Sequence, residues 1–385
     1  MARIFIWQAI VRQRLYFYTA SLFIICHAPL HSFAAPPGRS ALLFYGEAAS
    51  APAFAGIPAT AAGKDSVLPV RHTFNLSSGN NQVNAELTDI ESEYGFTMDN
   101  RKAFSRLRKL TRLHIPVWSS RLRSRLFNDL AGVSAKLKWY AIAMKCYYSG
   151  QHDKDLPDPA CGRPAEDDLP DSTFPATGLS ASLPVIAHPS APVDIGDILA
   201  SFNDGKTASS YALLVEVKQP IAGKRKSFTH INNVGHMFIT LIKYNSDNSF
   251  VCRSFGFYPQ KSSLLAATPL HPSSPSVVKD DSGHDWDEIA GKFISPKRFY
   301  KIIGALQSYD HQTYHLDRNN CTDFGLTMAR IGGINIMNSV GRWPLGKGNN
   351  PGNAGQSMLE QKLANTDEEF SDPLFVSTNI PPANR

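Results

Sequence analysis

Two apolar runs separated by a short polar turn most constrain what this chain can fold into. The first run, GHMFITLIKY, starts at Gly235, and the second covers residues 250–257. Residues 245–248 between them are Asn, Ser, Asp and Asn, which favour turns, so the pattern predicts an antiparallel hairpin. Residues 211–217 predict one more strand. We therefore expect an α+β domain built on an antiparallel sheet.

A second segment, NNCTDFGLTMARIGG over residues 319–333, is typical of a short amphipathic helix. Asn320 is a suitable N-cap, and the Gly332-Gly333 pair is a suitable C-terminal stop. Cys321 then becomes the first residue of the helix. A helix over residues 296–306 is expected before it, with Ser295 as N-cap and a proline in its first turn.

Cys321 and His236 together suggest nucleophilic catalysis. A helix N-terminus favours the thiolate through its unpaired N–H groups and the positive end of its dipole. A histidine held on a strand can take up the proton and return it to a leaving group. The alternative reading is that Cys321 is a small buried hydrophobic residue and His236 a structural one. The 85 residues between them do not by themselves place the two side chains together.

The strings GHMFITL, SFGFYP (residues 254–259) and NNCTDF resemble the permuted papain-fold hydrolases related to NlpC-type cell-wall peptidases, with lecithin:retinol acyltransferase-like enzymes as a distant branch. The resemblance covers residues 211–343 and implies a papain-like fold. It implies that Cys321 is the nucleophile and His236 the base. The third catalytic position is usually a polar residue on the strand after the histidine. Here that strand has no histidine and offers Ser254, with Tyr258 as the rival.

Asp323, in the first turn of the predicted Cys321 helix, is expected to stabilise the helix end. A negative charge so close to the sulfur would oppose thiolate formation, so we assign Asp323 no catalytic role. The resemblance implies that the backbone N–H of Cys321 or of a neighbour holds the oxyanion.

The chain has 385 residues, 43% hydrophobic and 19% charged, which is a globular composition. Its domain organisation is predicted from shifts in composition. Basic residues followed by an apolar stretch predict a signal peptide over residues 1–35 and hence export. The predicted segments after it are a flexible linker (36–70), a helical domain (71–165), a Pro/Ser-rich linker (166–205), the papain-like domain (206–345) and a tail (346–385).

Four cysteines remain after the predicted signal peptide. Cys146 and Cys161 flank a short Gly/Asp/Pro-rich loop and could form a disulfide in an oxidising compartment. Cys252 and Cys321 could form a second disulfide, which would silence Cys321. We prefer the alternative in which Cys321 is free and Cys252 is buried on its strand.

The net charge of +6 is concentrated in one segment. Nine of the 39 basic residues lie between Arg101 and Arg125 with no acidic residue among them, while the remaining 30 face 33 acidic residues. Such a face can bind an anionic polymer or lipid head groups, although a solvated helix face is the simpler interpretation. No motif for specific nucleic-acid recognition accompanies it.

The sequence thus predicts a secreted or periplasmic cysteine amidase or peptidase, with a peptide or peptidoglycan stem peptide as its substrate. It predicts no cofactor and no metal site. Two alternatives stay open: a non-catalytic binding module on an anionic surface, and a lipid acyltransferase or thioesterase of the same fold.

Overall fold

A computed structural model describes residues 81–94, 98–114, 120–152, 190–227, 233–260, 266–343 and 345–380. The predicted signal peptide and the first linker lie outside these residues, as does most of the Pro/Ser-rich linker. All of the described residues belong to one compact unit that begins at Asp65. No described helix is long and apolar enough to cross a membrane.

The described residues form five helices, followed by strands mixed with three more helices. The helices are α1 (Asn81–Glu93), α2 (Asn100–His114), α3 (Ser120–Lys136), α4 (Tyr140–His152), α5 (Ile195–Phe202), α6 (Pro296–Ser308), α7 (Cys321–Gly332) and α8 (Pro351–Leu359). The strands are β1 (Ala208–Lys218), β2 (His236–Asn245), β3 (Phe250–Pro259), β4 (Ser273–Asp280), β5 (Glu288–Ile294), β6 (Thr313–His315), β7 (Ile334–Ile336), β8 (Val340–Trp343), β9 (Gly346–Asn349), β10 (Leu363–Asn365) and β11 (Phe375–Thr378).

Seven strands form one antiparallel sheet in the order β11-β5-β1-β2-β3-β4-β6. The predicted hairpin is its centre, β2 and β3, with Tyr244 paired to Phe250 across the turn. All ten residues of β2 are buried. Because successive side chains of a strand point to opposite faces, both faces of the sheet must be covered.

Each face of the sheet is covered by helices. On one face Phe238, Ile242 and Tyr244 join a core with Trp139 and Tyr140 from the N-terminal helices. On the other face, the alternate residues of β2 pack with α6 and α7, with Phe299 and Phe324 among their partners. The predicted α+β class, a helical region followed by an antiparallel sheet with helices, is confirmed.

The two helix starts predicted from sequence are also confirmed. The Ser295 side chain accepts a hydrogen bond from the N–H of Arg298 at the start of α6. Asn320 caps α7, and Gly333 ends that helix in the left-handed region, at a φ of 88°. An α-helix leaves N–H groups unpaired at its start, and these two side chains satisfy them.

The C-terminal segment is part of the folded core rather than a tail. Residues 346–380, within the predicted 346–385 tail, contain β9, α8, β10 and β11. β11 is an edge strand of the main sheet, paired with β5. The buried ion pair between Lys292 of β5 and Asp367, at 3.0 Å, fixes this segment to the sheet.

Candidate active site

Cys321 is the first residue of α7 and is almost completely buried. The Asn320 side chain accepts hydrogen bonds from the N–H groups of Thr322 and Asp323, at 2.7 and 3.1 Å. Asp323 accepts one in return from the Asn320 N–H, at 3.0 Å, which completes a capping box. Asn349 donates to the other oxygen of Asp323, at 2.6 Å. The Asp323 carboxylate therefore stabilises the helix start, as expected from the sequence.

His236 is the first residue of β2 and follows Gly235, whose φ of 74° lies in the left-handed region. A Cβ at Gly235 would lie 2.5 Å from the carbonyl oxygen of Lys218. Glycine is needed there both for its φ and for this close approach. The tight entry into β2 fixes the backbone that carries the imidazole.

The imidazole of His236 is held by a carboxylate. Its Nε2 lies 2.9 Å from Oδ2 of Asp281, a fully buried residue directly after β4. The other carboxylate oxygen of Asp281 accepts hydrogen bonds from the hydroxyls of Ser190 and Tyr258, each at 2.6 Å. The Asp281 N–H donates to the carbonyl of Ser254, at 3.0 Å. Every polar group of this aspartate that faces the site has a partner.

The thiol of Cys321 completes a cluster of three groups. The side chain of His236 and the backbone of Met237 both lower its pKa, so both lie beside the sulfur. The structure thus brings Cys321, His236 and Asp281 together, which is the arrangement of a nucleophile, a base and an orienting group.

The charges of these groups depend on one another. Burial by itself would lower the pKa of His236, but Asp281 and the Cys321 thiol raise it to about 9. Burial would raise the pKa of Cys321, but the hydrogen bond and positive charge of His236 lower it below the usual value. Burial would likewise raise the pKa of Asp281, and its bonds with His236, Ser190 and Tyr258 lower it. The site therefore favours a thiolate–imidazolium pair beside an ionised carboxylate.

Of the three described cysteines, only Cys321 has these properties. Burial raises the pKa of Cys146 well above its usual value and that of Cys252 to about 12. None of the three is in a disulfide. Cys161, the predicted partner of Cys146, lies outside the described residues. The interpretation with a free Cys321 agrees with this structure, but Cys252 is half-buried on β3 rather than buried as expected.

Ser254 does not lie where the sequence analysis placed it. Its hydroxyl is 2.6 Å from the Thr240 hydroxyl, and Thr240 donates to Glu216 at 2.7 Å. The position beside the imidazole is occupied by Asp281, which sequence reasoning missed. The rival, Tyr258, does reach the site, because its ring lies 4.2 Å from the His236 ring while its hydroxyl binds Asp281.

Asp281 was missed because β4 was not recognised in the sequence. That strand has proline and serine in place of a regular apolar pattern, SSPSVVKD, and it is only partly buried. The signal that could have identified Asp281 is the polar run DDSGHDWD over residues 280–287. A run of acidic residues just after a strand places carboxylates at one edge of the sheet.

A second histidine lies beside the first. The His284 ring is 5.0 Å from the His236 ring, and its Nδ1 is 2.7 Å from the carbonyl of Asp285. Burial and the positive charge of His236 lower the pKa of His284. We therefore assign the protonated state to His236 and the neutral state to His284.

A small cavity of about 30 Å³ adjoins Cys321, enough for one or two water molecules. Its lining is mainly apolar and includes Val234, Leu316, Trp343 and Pro351. Tyr314 of β6 also lines it. Burial and the neighbouring Cys321 thiol raise the pKa of the Tyr314 hydroxyl, which places this hydroxyl near the sulfur.

The predicted basic face is partly neutralised within the protein. Arg106 forms ion pairs with Glu86 and Glu93, at 2.6 and 3.1 Å, while Lys102 and Lys109 are exposed. Its binding to an anionic polymer or lipid stays a prediction. Among the residues that the structure describes, no group of three or more His, Cys, Asp or Glu side chains could hold a metal ion.

Comparisons with protein-family models, with curated proteins and with solved structures found no match to this chain. The function must therefore be argued from the site itself.

Proposed function

We propose that this protein is a cysteine hydrolase that cleaves amide bonds, with Cys321 as nucleophile, His236 as acid and base, and Asp281 as the group that orients the imidazole. The observation that carries the proposal is a thiol at a helix start beside an imidazole that is itself hydrogen-bonded to a buried carboxylate. A buried cysteine with only a structural role needs no such partner, and the other two described cysteines have none of this kind.

The geometry suggests the course of the reaction. The Cys321 thiolate attacks the carbonyl carbon, and the negative charge that forms on the carbonyl oxygen is stabilised by the Cys321 N–H and the Tyr314 hydroxyl. The imidazolium of His236 protonates the leaving amine, so the C–N bond breaks and a thioester remains. His236, now neutral, takes a proton from water, which adds to the thioester and releases the acid and the free thiolate.

The cavity favours a small group beside the sulfur. A volume of about 30 Å³ accommodates a small substituent next to Cys321. The resemblance to NlpC-like enzymes supports a peptide or peptidoglycan stem peptide as the substrate. The proposal includes the papain-like fold and the export of the protein.

The first test is the reactivity of the thiols. Brief treatment with iodoacetamide at pH 7, followed by peptide mapping, should alkylate Cys321 well before Cys146 or Cys252. The variant His236→Gln should alkylate more slowly at Cys321, because the imidazolium no longer stabilises the thiolate. The variant His311→Gln serves as a control, since His311 is fully exposed on a turn and should leave the rate unchanged.

The second test is turnover on peptidoglycan stem peptides, followed by the release of free amine. The wild type and Cys252→Ala should be active, and Cys321→Ala should be inactive. Preferential labelling of Cys252, or equal turnover by Cys321→Ala, would overturn the proposal. A reactive Cys321 without turnover of any peptide would show that the substrate class is wrong while the nucleophile is right.

A further inference from the structure

The β8–β9 hairpin presents an exposed surface that is both apolar and basic. Its residues, which we call the hairpin surface, are Met337, Val340, Arg342, Leu345 and Lys347. Leu345 is 75% exposed, Val340 59% and Met337 44%, and the two cations are also exposed. Arg342 pairs with Lys347 across the hairpin, so these two side chains share one face.

Leu345 is the least expected residue of this surface. It follows Pro344 in the two-residue connection between Trp343 and Gly346, which are paired. Its φ of 72° lies in the left-handed region, where glycine or asparagine is usual. A leucine is disfavoured at this position by the backbone conformation. Because its side chain is exposed, it also gains no stabilisation from burial. Stability alone does not explain this residue, which points to a role outside the folded chain.

The sequence segments that form the hairpin and the adjacent loop carry charge of one sign. From Asn335 to Met358 the sequence contains Arg342 and Lys347 and no acidic residue. The neighbouring loop after β1 adds Lys224 and Lys226, both exposed, again with no acidic residue between Gln219 and Gly235. Within the described part of the chain, neither Arg342 nor Lys347 forms an ion pair. Asp317 lies beneath the hairpin as an opposing charge, with its Oδ1 2.6 Å from where a Cβ at Gly346 would lie.

We propose that the hairpin surface docks on a lipid bilayer with anionic head groups. Leu345 and Val340 enter the boundary between head groups and acyl chains, while Arg342 and Lys347 contact the head-group phosphates. A stable protein interface buries about 800 Å² on each side, and three aliphatic side chains on a two-stranded hairpin offer much less than that. Exposed aliphatic residues flanked by cations that form no ion pair within the described residues suit a bilayer better than a protein.

Docking in this way would bring the site of Cys321 close to the membrane. The opposite face of the hairpin lies against the segment that precedes Cys321: a Cβ at Gly348 would come within 2.3 Å of the Asp317 carbonyl oxygen. Trp343 of the same hairpin lines the cavity beside the thiol. The proposal rests on this surface alone and does not depend on the chemistry of Cys321.

The experiment is co-sedimentation of the purified protein with vesicles at low ionic strength. The protein should bind vesicles of phosphatidylglycerol and phosphatidylcholine, and bind pure phosphatidylcholine at least ten-fold more weakly. Arg342→Gln and Lys347→Gln should each weaken binding about five-fold. A single Lys or Arg near an anionic membrane contributes about 1 kcal/mol to the binding free energy, which corresponds to that factor. Lys297→Gln, which removes an exposed cation on α6, is the matched control and should bind as the wild type does.

Leu345→Gly separates a membrane role from a structural one. Glycine removes the apolar tip and suits a positive φ, so vesicle binding should fall at least five-fold while the melting temperature does not decrease. A lower melting temperature with unchanged binding would overturn the proposal, as would equal binding to both kinds of vesicle. Sedimentation velocity tests the alternative that the hairpin surface binds a second copy of this chain. A wild-type dimer that Val340→Asp converts to a monomer, without any vesicle binding, would support that alternative and overturn the proposal.

Discussion

At the scale of single residues, the strongest constraint is the burial of Asp281. A fully buried carboxylate is costly unless it is hydrogen-bonded and faces a positive charge. Here the imidazole of His236 and the hydroxyls of Ser190 and Tyr258 make three hydrogen bonds to its two carboxylate oxygens. The consequence is electrostatic, because the carboxylate keeps the imidazole protonated beside the thiol.

The first prediction concerns this carboxylate. Asp281→Asn removes the negative charge that raises the pKa of His236 to about 9, so that pKa should fall toward its ordinary value of 6.5. The imidazolium form would then be lost at lower pH, and the alkaline limb of the profile of kcat/KM against pH should move down from about 9. We expect kcat to fall by a factor on the order of 10²–10⁴, as for triads that lose their orienting carboxylate.

The measurement is the pH dependence of peptide hydrolysis and of iodoacetamide alkylation at Cys321. Asp280→Asn is the matched control, since the Asp280 side chain accepts a hydrogen bond from the N–H of Ser282 and does not contact His236. An alkaline limb that stays in place in Asp281→Asn would show that this carboxylate does not set the charge of the imidazole.

At the scale of secondary-structure elements, the site depends on how closely β3 approaches the His236–Asp281 pair. Gly256 of β3 lies under both groups: a Cβ there would be 2.4 Å from Oδ2 of Asp281 and 2.5 Å from Nε2 of His236. Real Cβ atoms do not approach other atoms so closely, so a glycine is needed at this point of the strand. The closeness of the imidazole and the carboxylate thus follows from the strand packing as well as from their charges.

The second prediction follows from that packing. Gly256→Ala should push the imidazole and the carboxylate apart and lower kcat by at least ten-fold, with a loss of stability of about 1–3 kcal/mol. The control is Gly304→Ala on α6, where a Cβ meets no atom within 4 Å. That change should leave activity intact and stabilise the helix by about 0.5–1 kcal/mol. Kinetics and thermal melts of the two variants test this, and full activity in Gly256→Ala would contradict it.

At the scale of the whole molecule, the N-terminal helices and the sheet share one core. Trp139 and Tyr140 belong to the same buried cluster as Phe238 and Trp286. Polar contacts reinforce it: the Tyr244 hydroxyl donates to the carbonyl of Ala141, at 2.8 Å. Lys138 also donates to the carbonyl of Gly283, at 2.5 Å, in the loop that begins with Asp281. The helices therefore support both the sheet and the loop of the orienting carboxylate.

The third prediction is that the sheet does not fold without these helices. A chain that begins at residue 190 would expose one whole face of β2, including Phe238, Ile242 and Tyr244, and should show no cooperative thermal transition. A chain that begins at residue 81 keeps the shared core and should melt cooperatively. Circular dichroism of the two chains makes the comparison, and a cooperative transition in the shorter chain would show that the sheet is an independent domain.

The sequence by itself determined the elements whose signals are local. The apolar runs around a polar turn determined the central hairpin, and Ser295 and Asn320 determined where α6 and α7 begin, because capping depends on residues only two or three positions away. For the same reason the sequence placed Cys321 at a helix start and His236 at the beginning of a strand.

Only the tertiary structure decided what these residues meet. Asp281 comes to His236 because β4 lies beside β3 in the sheet, and a weakly apolar strand such as β4 gives no signal of that pairing. Residues 346–380 join the core because β11 pairs with β5 and Lys292 meets Asp367, contacts between positions 75 or more residues apart. Ser254 faces Thr240 rather than the imidazole because the β2–β3 register pairs these two residues directly. Ser254 is on the same face of the sheet as His236 but four residues along β2 from it, and the register is set by long-range pairing.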